Sequence, residues 1–145
     1  MTLRIIPERF APHAQGLLRI VAALLFMQHG AAKLFGVPHV AMFDGLQLFS
    51  FLGAAGILEL VGGLLMLIGL FTRPVAFILS GQMAVAYFFF HAGQDFWPIL
   101  NKGELAALYC FVFLFFAAAG PGAFALDREE RHEPEGAAVT PTPLY

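Results

Sequence analysis

Residues 54–69, AAGILELVGGLLMLIG, place one carboxylic acid in a run that is otherwise apolar or small. Read as a helix starting near Ser50, the run sets Glu59 about nine residues in, roughly 13 Å into a hydrocarbon layer about 30 Å thick. At helical spacing its neighbours are Ala55, Gly56, Gly62 and Gly63. Small residues let a second helix approach closely, so this face points into a bundle and not at lipid. An acid there must find partners or carry a proton, because burial disfavours a bare charge.

Composition agrees with a membrane setting. Of 145 residues 59% are hydrophobic and 12% are charged, and the mean hydropathy is +0.77. A soluble domain carries about twice that share of charge. Four apolar segments near 20 residues account for most of the chain, predicting an all-α membrane protein. A net charge of −2 with no basic run argues against a nucleic-acid partner and leaves the lipid bilayer. The single cysteine, Cys110, permits no intrachain disulfide and no dithiol exchange, and packing explains it.

Outward from Glu59, the spans fall at about 15–35, 50–71, 73–93 and 102–119, within a domain over 15–126. Residues 1–14 read as an interfacial lead-in and 127–145 as a disordered tail rich in charge, Pro, Ala and Thr. A signal peptide is rejected, because helical character runs on to Phe35 and three spans follow. Between the second and third spans, Thr72 is placed as an N-cap with Pro74 in the next first turn. The connection 37–49 is apolar for a loop and reads as lying on the membrane interface. Arg4, Arg9, Arg73, Arg128 and Arg131 share one side, with Arg19 at the near end of the first span. Only Lys33 and Lys102 lie on the other. The positive-inside rule then gives a four-transmembrane-helix bundle with both termini cytoplasmic, N-in and C-in.

Depth follows from helix direction at about 1.5 Å per residue. Lys33, His91 and Glu104 fall near the outer face, His29, Tyr87 and Tyr109 roughly 10 Å down, and Glu59 slightly deeper. Every span thus contributes polar groups to the outer half, suggesting a pocket roofed by the connections 37–49 and 93–103. Plainer readings stand beside this one. Glu59 is equally a structural acid paired with Lys33, and Lys33 reads first as snorkelling to the headgroups. Arg19 is expected to snorkel on the cytoplasmic side. His29 and His91 lack a metal-ligand spacing such as His-x-x-x-His, so no metal site is expected and hydrogen-bonded structural histidines are favoured. Asn101 and Glu104 fit a capping box for the last span.

Several stretches together resemble the DoxX family: His29-Gly30-x-x-Lys33-Leu34-Phe35-Gly36, Gly56-x-x-Glu59-x-x-Gly62-Gly63 and Gly69-Leu70-x-Thr72-Arg73. Met83-Ala84-x-Ala86-Tyr87-Phe88-x-x-His91 and Phe96-Trp97-Pro98-x-x-Asn101-x-Gly103-Glu104 complete the set. The resemblance covers about residues 17–127. It implies a small four-helix inner-membrane protein, similar to a membrane subunit of archaeal thiosulfate:quinone oxidoreductase or to subunits of complexes that handle thiol and oxidative stress. It carries over His29, Lys33, Glu59, Arg73, His91, Asn101 and Glu104; Arg73, on the cytoplasmic turn, serves to orient the protein.

Two functions compete. In the first, a redox-associated subunit binds a quinone or similar carrier in the outer pocket, beside a redox partner protein or within a homo-oligomer. The candidates for binding or proton exchange are His29, Lys33, Glu59, Tyr87, His91, Asn101 and Glu104, because carrier reduction needs protons delivered in a dry site. The chain holds no complete redox centre of its own in this reading. In the second, it is a small non-enzymatic transporter, solute-binding protein or assembly protein.

Overall fold

The computed structural model describes residues 5–128, all of whose regular structure is helical. Arg4, Arg131 and most of the expected tail lie outside the described residues. Helix α1 spans Ala11–Phe35, with Pro12 in its first turn and Gly36 in the left-handed conformation at its end. Helix α2 spans Phe51–Ile68; the Ser50 hydroxyl caps it by accepting from the Gly53 amide at 3.1 Å. Helix α3 spans Thr72–Ala86 and runs on as a π-turn over Tyr87–His91. A short α4, Pro98–Asn101, precedes α5, Glu104–Ala119. Among the described residues, three helical runs are long and apolar enough to cross a membrane: Glu8–Phe35, Phe51–Ile68 and Thr72–His91. Glu104–Ala119 is a shorter apolar helix.

Residue pairs across the interfaces give the topology. Along α1 and α2, Gly30 meets Gly56 and Leu60, Met27 meets Gly63, and Arg19 meets Met66, so these helices run antiparallel. Gly62 against Leu79, and Glu59 against Gln82, make α2 and α3 antiparallel too. Ser80 bonded to the Cys110 carbonyl, and Arg73 to those of Ala117 and Ala118, do the same for α3 and α5. The result is an up-down-up-down bundle. Its core joins Ala22, Ala23 and Phe26 to Met66, Ala76, Leu79, Met83, Tyr109, Phe113 and Phe116. The small residues of α2 act as expected, a Cβ on Gly63 falling 2.5 Å from Met27 Cγ, and α1 answers in kind: a Cβ on Gly30 would fall 2.6 Å from the Leu60 nitrogen, so the two helices touch backbone to backbone there. Large apolar side chains such as Leu17, Leu24, Leu58, Val61, Phe77 and Phe111 face outward, as lipid contact requires.

Arg19 overturns an expectation. It does not snorkel: the residue has no exposed surface. Its Nε donates to the Pro121 carbonyl at 2.9 Å, Nη1 to Met66 and Leu67 at 2.5 and 2.7 Å, and Nη2 to Ala123 and Phe124 at 3.2 and 2.7 Å. All five guanidinium N–H groups are thereby used. The last carbonyls of α2 have no intrahelical donor and carry the negative end of the helix dipole. A fixed cation in their midst is better placed there than at a headgroup. The same bonds hold the segment 121–124 as a strap, helped by the Ala123 amide on the Pro12 carbonyl at 2.8 Å.

Two capping expectations fail as well. Thr72 is the first helical residue and caps nothing. The Phe71 and Thr72 amides instead donate to the Asp127 carboxylate at 2.9 and 2.7 Å. Asp127, expected to open a disordered tail, is therefore tied into the fold. Asn101 and Glu104 form no capping box: Gly103 precedes α5, and the Asn101 amide is engaged elsewhere.

Candidate functional site

Glu59 is 2% exposed, on the face of α2 that meets α1 and α3. Its Oε1 accepts from Lys33 Nζ at 2.5 Å and from Gln82 Nε2 at 3.2 Å. The Lys33 side chain is only 10% exposed, so it pairs with the acid and does not snorkel. Its ammonium lies 5.5 Å from the centre of the Phe43 ring, which brings the connection 37–49 over the site. Gly56 makes the approach feasible, since a Cβ there would fall 3.0 Å from Lys33 Cβ. Three elements therefore meet at one carboxyl.

Gln82 was not among the site residues expected from sequence. Its signal was a lone carboxamide in an apolar span, at the same depth as Glu59 once the two helices are set antiparallel. Besides Glu59 it donates to the Ala55 carbonyl at 3.3 Å. Two acceptors in this cluster, Glu59 Oε2 and Gln82 Oε1, are buried and have no hydrogen-bond partner. Each such atom costs about 1–3 kcal/mol.

The other candidates make no hydrogen bond to this carboxyl. His29 sits one turn below Lys33 on α1, its ring edge-on to Tyr109 at 6.4 Å. Its Nδ1 bonds the Leu25 carbonyl at 3.1 Å, and His91 Nδ1 bonds the Asn101 carbonyl at 2.9 Å. A carbonyl only accepts, so in both rings Nδ1 carries the hydrogen of that bond. The π-turn re-aims His91 toward Asn101; π-turns recur at functional sites. Asn101 is fully buried, donating to the Asp95 carbonyl at 2.9 Å and accepting from the Gly103 amide at 2.7 Å. Tyr87 packs on Gly103, where a Cβ would fall 2.7 Å from its ring. Glu104 is exposed beside Lys102, Leu105 and Leu108 in a shallow depression that does not include Glu59. At the opposite end, Arg73 donates to the Ala117 and Ala118 carbonyls that close α5.

Sequence comparison bears on what this arrangement is for. A family model for DoxX matches residues 14–92. An uncharacterized protein of Haemophilus influenzae is 46% identical over 127 residues, covering 84% of this chain and 94% of that protein. Inner membrane protein YphA of Escherichia coli is 30% identical over 125 residues, 76% of this chain and 85% of YphA. No solved structure gives a significant match.

Proposed function

The chain belongs to the DoxX family of membrane proteins, and on that premise we propose that it is a redox-associated inner-membrane subunit. It crosses the bilayer four times with both termini cytoplasmic, and Lys33, Glu59 and Gln82 serve a quinone or similar carrier in the outer half. The observation that carries the reading is a buried ammonium–carboxylate pair with unused hydrogen-bonding capacity beneath an aromatic ring.

These residues fit such a ligand. Lys33 has three N–H groups and one goes to Glu59, so a ring carbonyl can be held by another. The Phe43 ring provides an apolar face for a planar head, and the surrounding helices exclude water. A carrier of this kind takes up two electrons and two protons on reduction, and a redox partner protein supplies the electrons. Glu59 gives and takes a proton, and Lys33 stabilises the oxygen that becomes negative. His29, one turn further in, is a second group for proton exchange.

Organic extraction of the purified protein tests the proposal. Wild type is expected to release close to one quinone per chain, and Glu59→Gln far less at equal protein recovery. Equal quinone content in the two proteins contradicts a role for Glu59. Absence of quinone from both, together with solute flux in proteoliposomes, favours the transporter reading instead.

A further inference from the structure

Gln82 can sit in only one way. The Ala55 carbonyl is an acceptor without a hydrogen, so the amide nitrogen of Gln82 must face it, and the same nitrogen reaches Glu59 Oε1. That orientation leaves Gln82 Oε1 in the interior with nothing to accept from. Glu59 Oε2 is in the same condition. Two orphaned acceptors on directly bonded side chains lack one thing in common, a hydrogen.

We propose that Glu59 and Gln82 form a proton-binding pair, in which one proton on Glu59 Oε2 is shared with Gln82 Oε1. A carboxylic acid and a primary amide make two parallel hydrogen bonds in a closed ring. One of them, Gln82 Nε2 to Glu59 Oε1, is already made. Protonation forms one O–H bond, takes its proton from water, and moves no electron. The groups around the carboxyl are Lys33 and, one turn below and acting through its charge, His29 on α1, Gln82 on α3 and, against the Lys33 ammonium, the Phe43 ring from the connection. Lys33 holds Oε1 in both states, so the carboxyl alternates between a pure ion pair and an acid locked to the amide. Gln82 is the positioning residue that gives the proton a defined place. The proposal deepens the carrier reading by naming where the exchanged proton waits, yet the pair exists without any carrier bound.

Infrared difference spectroscopy in H₂O and D₂O, on full-length carrier-free protein in bilayers stepped from alkaline to mildly acidic pH, reads this directly. The expected result is a protonated-carboxyl C=O band that shifts on ¹³C-glutamate labelling and is absent from Glu59→Gln. In Gln82→Leu, which keeps Glu59 and Lys33, the band is expected to move to higher frequency or to vanish. A wild type with no such band, or a band that Gln82→Leu leaves in place, overturns the proposal. Quinone extraction reports separately, so a protein that shows the band and binds no quinone refutes the carrier and leaves the proton pair standing.

Discussion

At the scale of the residue, the ion pair between Lys33 and Glu59 governs the interior. A buried pair gains little over well-packed apolar side chains, but stripping away one partner leaves an uncompensated charge and costs about 3–5 kcal/mol. Lys33→Met is therefore expected to lower the melting temperature in detergent markedly, while adding Glu59→Met to it restores most of the loss. A double variant no more stable than Lys33→Met would show that the pair is not coupled. Glu59 was legible in sequence because an acid among glycines in an apolar run has few explanations. Choosing the partner was not, since pairing and snorkelling are both open to a lysine until the two helices are brought together.

At the scale of the element, helix ends are finished by residues far along the chain. Asp127 closes the start of α3 and Arg19 the end of α2, each reaching about 50 residues or more. No local pattern marks such caps. Local patterns misled instead: Thr72 before Pro74, and Asn101 three residues before Glu104, have the right chemistry in the wrong geometry, Lys102 turning left-handed between Asn101 and α5. The π-turn at Tyr87–His91 is likewise silent in a sequence of aromatics that any helix would accept. Partial burial alone would raise the Asp127 carboxyl. Hydrogen bonds from Thr72 and the Phe71 amide, with the charge of Arg19, outweigh burial and hold it below the usual carboxylate range. A lowered folded-state value contributes stability above the ordinary carboxylate pKa of about 4, and that stability is lost as pH falls through the folded value. Asp127→Ala should then cost about 1 kcal/mol at neutral pH. The gap from wild type should close on acidification toward pH 3, as followed by thermal unfolding. A constant gap across that range would mean that the charge is irrelevant.

At the scale of the whole molecule, the bundle puts the start of α1 beside the strap, the Pro12 carbonyl bonded to the Ala123 amide. Arg73 and Asp127 lie at that same end, while Lys33, His39 and Lys102 lie at the other. Hydropathy made the membrane class legible; among the described residues three apolar helices have the length to cross, and Glu104–Ala119, expected as a fourth span, is shorter. Which polar groups converge depended on antiparallel packing, which drew Gln82 in and left Glu104 outside. In a Cys110→Ser background, an impermeant thiol reagent added to spheroplasts is expected to label His39→Cys, and Arg128→Cys only after permeabilisation. Labelling of both from outside would contradict the four-span arrangement. The proposed chemistry finally stands on one contact inside the bilayer. The chain has only two lysines, Lys33 and Lys102, so solid-state NMR with ¹⁵N-lysine and ¹³C-glutamate in reconstituted protein can observe that contact almost without assignment. A strong Nζ-to-carboxyl cross-peak that disappears in Lys33→Met is the predicted spectrum; one in which the Lys33 nitrogen sees no carboxyl carbon would contradict the site at its root.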